Sequence, residues 1–123
     1  DKLIEKEYAA AKLYFDLGTY FGTSSSSSSG NNYEACVVTA QNAISDFPYS
    51  ERREDFAILI VRAKFELAEQ SVESKKVERF QNAIDEYHGF VNEYPKSKFL
   101  PKATSLYNRA KAFLAKPQNA AQS

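Results

Sequence analysis

The chain carries the same turn twice. Asp46-Phe47-Pro48-Tyr49-Ser50 is echoed by Glu93-Tyr94-Pro95-Lys96-Ser97, with the two prolines 47 residues apart. Each copy reads acidic, aromatic, proline, any residue, serine. Proline has no N–H for a continuing helix and disfavours helical geometry in the residue before it. The serine two positions on offers a hydroxyl to the free amides at the start of a following helix. Each copy therefore spells helix, stop, start. A chain that repeats this signal is constrained to stacked helix pairs, each burying its apolar face on a neighbour.

The residues upstream of each turn support that reading. Twelve positions before the prolines stand Cys36 and Ala83, eight before stand Ala40 and Tyr87, and five before stand Ala43 and Phe90. Small and bulky residues thus fall where paired helices touch, as in tetratricopeptide repeats of ~34 residues. A period of 47 predicts extra residues between the two helices of each copy, about six in the first and about eight in the second. The serine run Ser24–Ser29 fits the first gap, and removing it would set Gly18 twelve residues before Cys36. Flanked by Gly22 and by Gly30-Asn31-Asn32, it has no apolar side chain to anchor it, so it reads as an inserted flexible loop.

Apolar residues at three- and four-residue steps then predict about five helices. Ile4, Tyr8, Ala11, Phe15 and Gly18, widened by Leu13, Leu17 and Phe21, mark a first helix over 1–22. Tyr33, Cys36, Val37, Ala40, Ile44 and Phe47 mark a second, stopped by Pro48. With Ser50 as cap, Phe56, Ile60, Val61, Lys64, Leu67 and Ala68 carry a third to about Gln70. A polar crossing through Ser71 and Ser74 leads to a fourth over Val77, Phe80, Ile84, Tyr87, Val91 and Tyr94. Ser97 caps a fifth, with Pro101 in its first turns and Ala103, Leu106, Tyr107, Ala110, Phe113 and Leu114 on its apolar side. The expected fold is all-α, a TPR-like helix-pair repeat occupying 1–116. Its parts are a first pair over 1–48 with the serine-rich loop at 23–32, a second pair over 50–95, a terminal helix over 97–116, and a flexible tail at 117–123.

Composition narrows the function classes. The chain has 123 residues, 43% of them hydrophobic, enough for one domain with a core of its own. Its one cysteine, Cys36, makes no internal disulfide, and no apolar run approaches the ~18–20 residues that span a bilayer. The formal net charge of zero conceals an asymmetry: residues 96–123 hold 6 basic and no acidic side chains, against 10 basic and 16 acidic before them. Such a block marks a docking face for an acidic partner or lipid surface, or a terminal helix whose lysines face water and help its own dipole.

Glu5-Lys6-Glu7-Tyr8-Ala9-Ala10-Ala11-Lys12-Leu13-Tyr14-Phe15-Asp16-Leu17-Gly18-Thr19-Tyr20, followed by the two aromatic-Pro-x-Ser turns, resembles the C-terminal repeats of the BamD (YfiO) lipoprotein family over residues 5–115. The crossing Ala68-Glu69-Gln70-Ser71-Val72-Glu73-Ser74-Lys75-Lys76 is similar to members from the Bacteroidetes side of that family. The resemblance implies a non-catalytic scaffold at the periplasmic face of the bacterial outer membrane. It implies binding of the BamA-type β-barrel insertase through that protein's periplasmic domains. Membrane attachment would come only through an N-terminal lipid anchor, which the residues in hand do not include, nor do they include the family's first repeats.

Chemistry is sparse beside this. The single histidine, His88, has Asp85 and Glu86 as near ligands on its own helix, too few for a metal, and reads as a half-exposed ring beside Tyr87 and Phe90. Cys36 holds a small-residue position and reads as packing. The 8 tyrosines and 9 phenylalanines read as core, since nucleic-acid readers also need a basic footprint and the body of this chain is acidic. Glu5, Glu7, Asp16, Glu51, Glu54 and Asp55 read as solvated helix faces. No catalytic, metal or cofactor residues are predicted. Two partner-binding surfaces are: a groove along the first helices of the pairs, where Lys12, Asp16 and Thr19 face away from the apolar stripe, and the cationic last segment, with Lys96, Lys98, Lys102, Arg109 and Lys111. The competing readings are another periplasmic adaptor of division or secretion, and a small enzyme assembled from carboxylates and His88.

Overall fold

The computed structural model describes residues 1–19 and 31–116. They form five α-helices and no strand: α1 (Lys2–Leu17), α2 (Asn31–Asp46), α3 (Arg53–Glu69), α4 (Glu73–Glu93) and α5 (Leu100–Ala115). The all-α helical-repeat reading of the sequence is the fold observed.

The two turns are copies at the level of individual hydrogen bonds. The last helical amides are Phe47, donating to the Ala43 carbonyl at 2.8 Å, and Tyr94, donating to Phe90 at 2.8 Å. Proline follows each and ends the ladder. Ser50 N–H then donates to Phe47 O at 3.0 Å and Ser97 N–H to Tyr94 O at 3.1 Å. The serine hydroxyls accept from the amide two residues on, Arg52 and Phe99, both at 2.9 Å. The serines therefore work ahead of the helices: α3 starts at Arg53 and α5 at Leu100, three residues beyond each serine.

α3 lies at the centre and buries side chains around most of its circumference. Phe56, Leu59, Ile60 and Ala63 pack with Ala11 of α1 and Cys36, Ala40 and Ala43 of α2. Ile58, Val61, Phe65 and Ala68 pack with Phe80, Ala83 and Phe90 of α4 and with Ala103, Leu106 and Ala110 of α5. Among the described residues α1 touches α2 and α3, α3 touches α2, α4 and α5, and α4 touches α5, whereas α2 and α4 do not meet. The odd-numbered helices thus form a continuous layer and the even-numbered ones stand apart, which curves the stack toward the odd side and leaves an open wedge on the other.

Three expectations are corrected. α1 ends at Leu17, short of 22, because Gly18 adopts φ 56° and its N–H closes on the Tyr14 carbonyl at 3.0 Å. A Cβ at Gly18 would stand 2.7 Å from the Tyr33 hydroxyl, so both the left-handed backbone and the crowding call for glycine there. The second pair holds no inserted loop: only Gln70, Ser71 and Val72 separate α3 from α4, and the surplus length is helix, 21 residues in α4. That tight crossing is tied by Ser71, whose hydroxyl donates to the Leu67 carbonyl at 2.6 Å and accepts from Arg79 at 2.7 Å. Finally, α2 opens at Asn31, two residues before Tyr33. The predicted loop Ser24–Ser29 and tail 117–123 lie outside the described residues.

Candidate interaction surfaces

The odd-helix face is a lattice of charges held by neighbours. Arg52, at the entrance to α3, donates from Nε and Nη2 to the two carboxylate oxygens of Glu5 on α1, at 3.0 and 2.7 Å, and from Nη1 to Asp55 at 3.0 Å. Its guanidinium carbon also lies 4.1 Å from the centroid of the Tyr8 ring. The hydrogen bonds from Arg52 hold the Glu5 carboxyl below its ordinary range, and Arg52 in turn is held more firmly protonated. Both groups are in contact with solvent, so the pair fixes register between α1 and α3 more than it stabilises. Further along α3, Arg62 covers the Phe15 ring of α1 at 4.5 Å, and 47 residues on, Arg109 of α5 reaches Glu69 of α3 at 2.6 Å.

The predicted surface residues fall on this frame as follows. Lys12 and Asp16 pair with each other at 3.6 Å across one helical turn. They lie seven and eleven residues from Glu5, which places them on the flank of α1 that meets α3. Thr19 is exposed just past the Gly18 cap. The five cations do not form one block. Lys102 and Arg109, seven residues apart, share the side of α5 that faces Glu69, where Arg109 is neutralised. Lys111 lies 5.1 Å from the Tyr107 ring, on the side facing α4, since Tyr107 stacks on Tyr87 at 4.4 Å. Lys98 sits 5.2 Å from the Phe99 ring and Lys96 is exposed, both in the second turn. The two surfaces read from sequence as separate are joined: Lys102 and Arg109 extend the odd-helix face.

The side chains weighed for chemistry are accounted for by packing. His88 is exposed, its ring against those of Tyr87 and Tyr107 at 5.4 and 5.3 Å. Cys36 is fully buried, and burial pushes its thiol up to about 11. No group of three or more His, Cys, Asp or Glu among the described residues is arranged to hold a metal ion, and no described helix is long and apolar enough to cross a membrane.

Two surfaces escaped the sequence reading. One is an apolar edge on α1, where Leu3 and Leu13 are 51% and 57% exposed with Leu17 beside them, so Leu13 and Leu17 do not widen the buried stripe as helical spacing predicts. The other is the wedge between α2 and α4. It holds a cleft of about 170 Å³ floored by Ile44, Ala57, Ile60 and Phe90 and bordered by Arg53, Glu86, Gly89, Glu93 and Tyr94. Arg53 is paired with Glu93, and Lys64 with Glu86 at 2.8 Å. Burial raises the Tyr94 phenol above its ordinary value, against the pull of the nearby Arg53 charge. The sequence signal that could have found this cleft is Gly89, a glycine in the middle of a strong helical pattern. No protein-family model matches the chain, and no curated protein matches it.

Proposed function

We propose that this chain is a non-catalytic interaction scaffold, a BamD-like component of outer-membrane β-barrel assembly that holds the BamA-type insertase at the periplasmic face. The observation that carries the scaffold reading is the stack itself. Two turns identical in their hydrogen bonds set successive helices in a layer that presents charged side chains at fixed spacing: Glu5 with Arg52, Lys12 with Asp16, and Arg109 with Glu69. Helix-pair arrays of this kind offer a long curved surface to another protein. The assignment to barrel assembly rests on the resemblance of residues 5–115 to the BamD family.

The test is affinity capture of the intact, membrane-anchored protein from its host envelope, with retained proteins identified by mass spectrometry. Recovery of the barrel insertase is the expected result. Its clear absence alongside other envelope proteins would replace this reading with that of an adaptor serving division or secretion.

A further inference from the structure

The two turns share a backbone but not a charge. Their prolines, serines and hydrogen bonds coincide, and the positions that serve none of those bonds are free to differ. At the tip stands Tyr49 in the first turn and Lys96 in the second; two residues on, just past the serine, stand Glu51 and Lys98. All four side chains are exposed, and Glu51, Lys96 and Lys98 form no ion pair among the described residues. Tyr49 is 97% exposed, the most of any large hydrophobic side chain described.

An open recess lies beside each tip. The one at the second turn, about 540 Å³, is lined by Glu54 of α3 and by Tyr94, Pro95, Lys96, Ser97 and Lys98. The one at the first turn, about 530 Å³, takes Glu5 from α1 together with Glu51, Arg52 and Asp55. Arg52 is engaged by Glu5 and Asp55, which leaves that recess net negative, whereas two lysines against one glutamate leave the other net positive. Both open on the same edge of the stack, because α2 and α4 run into the turns and α3 and α5 leave them side by side.

We propose that two copies of this chain pair edge to edge about a two-fold axis, the first turn of each seated on the second turn of the other. Tyr49 enters the positive recess of the other copy, its ring over Pro95 and beside the Lys96 and Lys98 ammonium groups. Glu51 meets Lys98 there, and Lys96 reaches back into the negative recess. The occupant is a second copy because one edge carries both halves of the contact, one repeat step apart. Turning a copy end for end sets acid on base at both turns at once, whereas a parallel pairing sets like on like. The contact is smaller than the ~1,200 Å² at which stable interfaces begin, so the dimer is weak and loosens in salt. It goes beyond the scaffold reading and does not depend on it.

The test is sedimentation equilibrium of the chain up to millimolar concentration. The expected mass rises from the 13.9 kDa of one chain toward twice that value and no further. Tyr49→Ala, Glu51→Lys and Lys98→Glu should each weaken pairing about tenfold, because symmetry counts every change twice. Their thermal midpoints should match wild type, since all three side chains lie outside the core. Mixing Glu51→Lys with Lys98→Glu should restore the dimer, as a mixed pair sets Lys against Glu at both turns, and so should both changes on one chain. Leu13→Glu, on the exposed edge of α1, should leave pairing unchanged. A mass that stays at one chain through the millimolar range, or one that grows past two, would overturn the proposal. So would loss of the dimer in Leu13→Glu, or a mixture of the charge variants no more associated than either alone.

Discussion

The α2/α3 and α4/α5 interfaces are built on the same turn, yet they fill their cores in opposite ways. Across the first turn Ala43 stands opposite Phe56; across the second, at the equivalent positions, Phe90 stands opposite Ala103. The ring has moved from the following helix to the preceding one, with the total volume kept. One turn of helix further from the loop, Ala40 with Leu59 becomes Tyr87 with Leu106. At the far crossing both interfaces keep two small residues, Cys36 with Ala63 and Ala83 with Ala110, all fully buried. The turn hydrogen bonds and the small-residue crossing therefore set the angle between helices; at the pair nearest the turn the ring can sit on either helix with the summed volume kept, while one turn further Tyr87, only partly buried, adds volume that Ala40 does not.

Removing either ring should be the most damaging change. Phe56→Ala and Phe90→Ala are each expected to cost about 3–5 kcal/mol in urea denaturation, by similar amounts despite lying on different helices. A large inequality would break the equivalence of the two interfaces. Next come the crossings, where Ala63→Leu and Ala110→Leu should each cost about 1–3 kcal/mol by forcing the helices apart. Ser50→Ala and Ser97→Ala, read by the same method, should each cost about 1 kcal/mol, matching one another as their identical 2.9 Å bonds do.

The titrating groups give smaller, one-sided effects. The Cys36 thiol is raised to about 11 by burial, so the folded state retains its proton after the unfolded chain has lost it. Stability should therefore fall as pH rises from about 8.5 toward 11, and Cys36→Ala should reduce that alkaline slope, since Ala83 contributes none at the equivalent place. Glu5 behaves in the reverse sense: its carboxyl is depressed by Arg52, so its contribution is present above about pH 4.3 and lost as pH falls further. Glu5→Gln should flatten the acid limb slightly, the smallest effect of the set, and added salt should erase the difference.

How much of this was legible in the sequence follows from where the determining interactions lie. The turns were readable because proline and serine act on the backbone within a few residues of themselves. The helices were readable because period alone fixes a buried stripe. The end of α1 was missed since Gly18 continues the apolar spacing, and its role as a cap depends on Tyr33 from another helix. The surplus length of the second pair was misplaced because a 47-residue period does not say whether extra residues join a loop or lengthen a helix; Ser71 and Arg79 decide for helix, through bonds that spacing does not reveal. Of the surface, Lys12 and Asp16 lie four residues apart and pair with each other across one helical turn, a contact that helical phase alone contains. The division of the cations was not legible, because Arg109 finds Glu69 forty residues away in the chain. The cleft at Gly89 arises from two helices that fail to touch, and the glycine itself is its one local sign in the sequence.

The claim that repeat geometry is set by the turn and the crossing, with volume interchangeable at the pair nearest the turn, is tested most directly by a double-mutant cycle at Ala43 and Phe56. Ala43→Phe alone overpacks the first interface and Phe56→Ala alone hollows it, while the double variant installs there the arrangement of the second. Measured by urea denaturation, the double variant should be more stable than the sum of the two single changes predicts, by about 0.5–3 kcal/mol of favourable coupling. Additive costs, or a double variant worse than the sum, would contradict the account.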